Sequence, residues 1–258
     1  MMKTSVWMLA FCLTALYSCQ KVIEVDLNRS SPRYVITGNI TDQPGPYEVK
    51  ITSSIDFDQD NNFPKVSGAK VYITDQNVGL TDTLTEVTPG RYLTHVLTGA
   101  PGHTYKLVVA LGNEMFSSVS TMPPPIVLDS LYTKAAAFGD GTDVVALYDD
   151  PVGRGNFFHL VLTVQDSLSK EIYLHNDKIN NGAKVTHVLN NDIDINTGDT
   201  ITVKLHCIDT DVYDFYYSLD QALKQNSAVI SNPKTNIRGG AMGYFCAHTV
   251  RVRSFVFK

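Results

Sequence analysis

The sequence is short of cysteine, tryptophan and clustered basic charge, and it contains no long apolar run. Four cysteines and one tryptophan stand among 258 residues, too few thiols for a small scaffold stapled by disulfides. No Cys or His pair has the close spacing of a structural zinc site, so no metal is expected. Lys and Arg number 21 against 26 Asp and Glu, a net charge of -5, and the basic residues do not cluster. That argues against a surface that tracks nucleic-acid phosphates. No apolar stretch reaches the roughly 18–20 residues of a spanning helix. Signatures of catalysis are missing too. The seven histidines, at 95, 103, 159, 175, 187, 206 and 248, form no HExxH, and no Gly-x-Ser-x-Gly appears. Gly239-Gly240 lacks the following helix and the Lys-Ser/Thr of a phosphate loop. No cofactor is implied, and the expectation is a protein that does not catalyse.

What is present begins with an address. A basic start at Lys3, the apolar run Val6-Trp7-Met8-Leu9-Ala10-Phe11-Cys12-Leu13 and then Leu16-Tyr17-Ser18-Cys19 look like a bacterial lipoprotein signal. Residues 1–18 would be removed, and Cys19 would become the lipid-bearing first residue of the mature chain. Its acyl chains bury methylenes at about 0.8 kcal/mol each, which makes attachment to membrane lipid effectively permanent. Residues 19–32 are polar and without sustained period, as suits a tether. Cys12 leaves with the signal, so Cys207 and Cys246 are the thiols of the folded body. Export permits a disulfide between them, and two separate buried thiols are an equal alternative.

From residue 33 the pattern becomes period two. Tyr47, Val49 and Ile51, then Ala69, Val71 and Ile73, then Tyr105, Leu107 and Val109 alternate with more polar neighbours, which predicts half-buried strands. Asp42-Gln43-Pro44-Gly45-Pro46, Thr88-Pro89-Gly90 and Gly99-Ala100-Pro101-Gly102 separate them with turn chemistry. The spacing predicts an N-terminal immunoglobulin-like or prealbumin-like β-sandwich over 33–122. Pro123-Pro124-Pro125 removes ladder donors and marks a boundary. A second β-rich domain over 127–258 follows, with strands near 144–147, 157–164, 172–174, 185–189, 200–208 and 244–257. It carries one helix at about 211–226. Asp211 can cap that helix, and Val212, Phe215, Tyr216, Leu219 and Leu223 form its apolar stripe. The fold class is therefore mainly β.

Several stretches invite a functional reading. Asp56-Phe57-Asp58-Gln59-Asp60-Asn61-Asn62 alternates acids as calcium loops do, but lacks the glycine and the closing glutamate of an EF-hand, so a solvated hairpin tip is expected. Around Asn236-Ile237-Arg238-Gly239-Gly240, the Arg238 guanidinium near Tyr244 and Phe245 has the chemistry to take a carboxylate or stack on a ring. Bonding of this motif to backbone carbonyls is the structural alternative. Tyr213, Phe215, Tyr216 and Tyr217 cover most of one helical turn, so some of these rings must face outward.

The chain resembles the DUF4249 family of Bacteroidota lipoproteins along nearly its whole mature length. The resemblance lies in Tyr34-Val35-Ile36-Thr37-Gly38-Asn39-Ile40-Thr41-Asp42, Val66-Ser67-Gly68-Ala69-Lys70-Val71, Ile126-Val127-Leu128-Asp129-Ser130-Leu131 and Asp149-Asp150-Pro151. It closes with Gly198-Asp199-Thr200 and Asn236-Ile237-Arg238-Gly239-Gly240-Ala241-Met242-Gly243-Tyr244-Phe245. It implies an outer-membrane lipoprotein, a binding or accessory component associated with a TonB-dependent receptor for nutrient uptake. A structural or adhesive envelope protein without a nutrient ligand is the alternative. In Gln20-Lys21-Val22-Ile23-Glu24-Val25-Asp26 the acids are spread among apolar residues, which leaves both the periplasmic and the cell-surface face open.

Overall fold

Alternating side chains along short extended segments give each strand one face for a core and one for something else, and the fold follows from how those faces are used. The structure is a computed structural model that describes residues 32–55, 62–136, 141–178, 181–190, 193–224 and 232–258. The strands in chain order are β1 (Tyr34–Thr41), β2 (Glu48–Ser53), β3 (Lys70–Asp75), β4 (Leu80–Thr83), β5 (Thr85–Thr88), β6 (Arg91–Leu93), β7 (Thr104–Leu111) and β8 (Glu114–Thr121). After the prolines come β9 (Leu128–Ala135), β10 (Thr142–Asp149), β11 (Phe157–Val164), β12 (Ser167–Leu168), β13 (Tyr173–Asn176), β14 (Lys184–Leu189) and β15 (Thr200–Ile208). Helix α1 (Thr210–Leu223) and β16 (Met242–Val256) complete the described elements.

Among the described residues the strands form three sheets. The longest has nine strands in the order β12-β11-β15-β16-β1-β2-β6-β5, with β13 also paired to β11. A four-stranded sheet runs β4-β3-β7-β8, and a three-stranded sheet runs β14-β10-β9. The two smaller sheets cover one face of the long one at two places, and each junction is a hydrophobic core. In the first, Ile36, Val49 and Ile51 of the long sheet meet Val71, Ile73, Tyr105 and Leu107. In the second, Phe158, Leu160, Val203 and Leu205 meet Val144, Ala146, Tyr148 and Val185. The period-two residues that predicted strands are these core residues: Val49, Ile51, Val71, Ile73, Tyr105 and Val109 have no exposed surface. The protein is thus mainly β, sandwich-like, with a single helix among the described residues.

The prolines at 123–125 divide the two cores on the side of the smaller sheets, with Met122 in the first and Leu128 in the second. They do not divide the long sheet. The N-terminal half of β16 pairs in parallel with β1, from Val35↔Met242 to Thr41↔His248, and its C-terminal half pairs antiparallel with β15, from Cys207↔Thr249 to Thr200↔Val256. Phe245 and Ala247 belong to the first core while Phe255 packs on the second. The last strand is therefore common to both sandwiches, and residues 32–258 form one compact unit.

The helix cap lies two residues before the expected one. Asp209 is the N-cap, its Oδ1 accepting from Val212 N at 2.9 Å, and Asp211 lies in the first turn. Asp209 can do both jobs asked of that position: besides capping, its other oxygen accepts from the Ser120 hydroxyl, and Ser120 Oγ in turn accepts from Ala247 N at 2.8 Å. A buried polar chain so joins β8, β16 and α1. Burial pushes the Asp209 carboxyl above its ordinary range, and the bonds from Ser120 and Val212 oppose that shift.

Candidate functional site

Both cores use the same face of the long sheet, which leaves the opposite face to α1 and to solvent. On β16 the residues of that second face are Tyr244, Cys246, His248, Val250 and Val252. On β15 they are Lys204, His206 and Ile208, and on β11 they are His159 and Val161. Registers His159↔His206, Val161↔Lys204, His206↔Val250 and Lys204↔Val252 lay them out in rows across three strands. Helix α1 covers one end, where Val212 and Tyr213 pack on Ile208 and Cys246. Beside the helix a groove of about 930 Å3 remains, walled by Tyr216, Leu219 and Leu223 of α1 and by Leu168 and Ile172 across from it, with Asn39, Thr41 and Gln43 at one end.

The floor is built from imidazoles. His206 and His248 have ring centroids 4.6 Å apart, His159 and His206 5.7 Å, and His159 lies 4.2 Å from the ring of Tyr216. Tyr216 donates its hydroxyl to that of Tyr244 at 2.9 Å. Burial brings His159 and His248 down to about 4. The same cause holds His206 well below its ordinary value, with His248, His159 and Lys204 adding to it. At neutral pH the floor is therefore aromatic, polar and uncharged. Nδ1 of His159 is buried and has no hydrogen-bond partner.

Cys246 Sγ lies 3.2 Å from His248 Nδ1, which is the spacing of a nucleophile and its base. The environment is wrong for that chemistry. Burial drives the Cys246 thiol well above its ordinary range, and the nearby Asp209 carboxylate drives it further. A protonated thiol beside a neutral imidazole is a poor nucleophile. Two carboxylates also come close to a histidine on the opposite face of the long sheet. Asp150 and Asp177 are buried near His175, whose ring lies 5.8 Å from that of His187, and the Tyr148 hydroxyl is 3.2 Å from His187 Nδ1. Their oxygens hold loops: Asp177 accepts from Gly155 N and Asn156 N, and Asp150 from Gly182 N. Burial, then the Asp177 charge, raises Asp150. Among the described residues, no group of three or more His, Cys, Asp or Glu side chains is placed to hold a metal ion.

The residues singled out from the sequence are dispersed. Cys19 and residues 56–61 of the acidic loop lie outside the described residues. Cys207 and Cys246 are both free and buried, and no disulfide joins them. The strand alternation sends Cys207 into the second core and Cys246 to the groove face under α1. The 236–243 motif is bonded into the fold. Asn236 donates from Nδ2 to Phe245 O at 2.8 Å and accepts from Phe245 N at 3.0 Å, so its amide acts as a short piece of strand. Arg238 pairs through its backbone with Ser117, N to O at 2.7 Å and O from N at 3.1 Å, and its residue is exposed. Gly239 has φ +103°, and a Cβ there would meet the Met115 carbonyl. Gly240, also at positive φ, completes the turn. Tyr244 and Phe245 point to opposite faces, one to the groove and one into the first core, so no common site forms with Arg238. Of the helix aromatics, Tyr213 and Phe215 are buried and Tyr217 is half exposed.

The three imidazoles of the floor were not legible as a set. They lie 47 and 42 residues apart in sequence, and only strand register joins them. The available signal was parity: His159 stands between the core residues Phe158 and Leu160, and His206 between Leu205 and Cys207.

A family profile described as a domain of unknown function, DUF4249, matches residues 20–254. The chain belongs to the DUF4249 family. No curated protein matches it. The match covers both sandwiches, α1 and nearly all of β16, so the groove of this DUF4249 protein lies wholly within the family region.

Proposed function

We propose that this DUF4249 protein is a non-catalytic outer-membrane lipoprotein, held to lipid through acylated Cys19, that retains a small ligand as an accessory to a TonB-dependent receptor. The observation that carries the binding part is the groove: about 930 Å3 of open space over an uncharged aromatic floor, within the size range of small-molecule sites. The state of the one Cys-His pair at the groove supports holding over turnover, since burial keeps Cys246 protonated beside a neutral His248. The lipoprotein-like start and the family resemblance support the membrane and the receptor. No described helix is long and apolar enough to cross a membrane, so on this reading Cys19 is the anchor.

The test is extraction of the protein from its own cells in mild detergent, followed by identification of what comes with it. Wild type is expected to bring a TonB-dependent receptor, and Cys19→Ser to lose membrane fractionation and the receptor together. Wild type that purifies repeatedly without a receptor would contradict the accessory role and favour an envelope protein of structural or adhesive kind.

A further inference from the structure

We propose that the groove beside α1 takes a small amphipathic anion, its flat apolar body on the His159, His206 and Val250 floor and its carboxylate, sulfonate or phosphate at Lys204. This deepens the binding reading above and rests on it for the choice of site. Three observations lead there. First, Leu168, Leu223 and Val252 are 62, 63 and 54% exposed, and all three border this one groove. Large aliphatic side chains gathered at the mouth of a cavity mark a place where apolar surface is covered in use.

Second, the charges at the groove do not balance, with Lys170 and Lys204 lining it against the carboxylate of Glu171. Glu171 is paired with Lys224 at 3.4 Å, and Lys224 also holds Asp220 at 2.8 Å. Asp42, next to Gln43, is committed to Arg251 at 2.6 Å and to Val250 N at 2.9 Å. Lys204 is exposed and makes no ion pair among the described residues. It stands in register between Val161 and Val252, so its stem lies along apolar floor while its ammonium can meet an anion at the rim. Third, the floor is aromatic without charge, and the His159 ring, 9% exposed, has an unpartnered Nδ1. These rings pack tilted or edge to face at 4.2 to 5.7 Å centroid spacing, an arrangement that one more flat ring can join.

The chain from residue 19 onward carrying Cys19→Ser, which drops only lipid attachment, is titrated with two fluorescent probes. One is 1-anilinonaphthalene-8-sulfonate, and the other is its uncharged relative N-phenyl-1-naphthylamine. Both are expected to bind saturably at one per chain. Lys204→Glu should weaken the sulfonate at least fivefold and change the neutral probe less than twofold. Val250→Trp, filling the floor, should remove both. Circular dichroism and the thermal midpoint check folding of each variant, and Val252→Trp replaces Val250→Trp if the latter unfolds. Non-saturable binding, or sulfonate affinity indifferent to Lys204→Glu and to the filled floor, would overturn the proposal. Neutral-probe binding with no preference for the sulfonate would overturn its anionic part. Failure here leaves a receptor partnership standing, and failure to find a receptor leaves this titration unaffected.

Discussion

At the scale of single residues, Asp209 shows how much one side chain can join. It caps α1 and holds Ser120, which holds the β16 backbone. Asp209→Ala removes the cap and leaves Ser120 short of a partner, and is expected to cost about 2 kcal/mol in urea unfolding. Asp209→Asn keeps an acceptor for Val212 N and avoids burying a charge, so it should lose less than half as much. Equal losses would show that the cap contributes little. The imidazoles make a second prediction. His159 and His248 fall from 6.5 to about 4 on folding, so the unfolded chain takes up their protons first. Stability is then fully present above pH 6.5, falls as pH drops towards 4, and levels below it. One such imidazole contributes on the order of 3 kcal/mol to that fall. Urea midpoints measured from pH 7.5 to 4 should drop steeply in the wild type, and His159→Phe, which keeps a ring against Tyr216, should flatten the profile. An unchanged slope would mean that His159 is not held neutral by burial. The sequence carried the identities of these residues but not their company: a histidine in a β-run reads as a strand residue, and its partners are 40 or more positions away.

At the scale of elements, β16 ties the molecule together. Strand positions were largely legible, because alternation and turn residues are local: the runs at 157–164 and 200–208 coincide with β11 and β15. The pairing was not, since a parallel contact between β1 and a strand about 200 residues later leaves no local pattern. The cap was misplaced by two residues for a related reason. Asp209 and Asp211 are equivalent by type, and only the distant Ser120 distinguishes them. The glycine-rich corner before β16 left a binding and a structural reading open, and its glycines let β16 lie beside β1. Gly243 has φ +98°, and a Cβ there would collide with the Ile36 carbonyl oxygen. Gly243→Ala is expected to cost on the order of 3 kcal/mol through backbone strain and lost pairing, read as a lower urea midpoint. A midpoint within experimental scatter of the wild type would show that the β1–β16 register tolerates a shift.

At the scale of the whole molecule, one strand common to two cores means that neither sandwich has a complete sheet alone. Chemical unfolding followed by intrinsic fluorescence and by circular dichroism should give one coincident transition, and two separated transitions would show that the halves fold independently after all. The same arrangement explains where the groove is. Both cores occupy one face of the long sheet, so its other face, only partly covered by α1, is left with an open groove. The central claim is that this body is tethered by lipid and holds a small molecule there. Native mass spectrometry of the protein extracted from its own membranes tests both halves of it at once. The account predicts a polypeptide beginning at an acylated Cys19, with a non-covalent adduct on the order of several hundred daltons that is missing from Val250→Trp. An unacylated chain, or the same adduct on the filled groove, would contradict it.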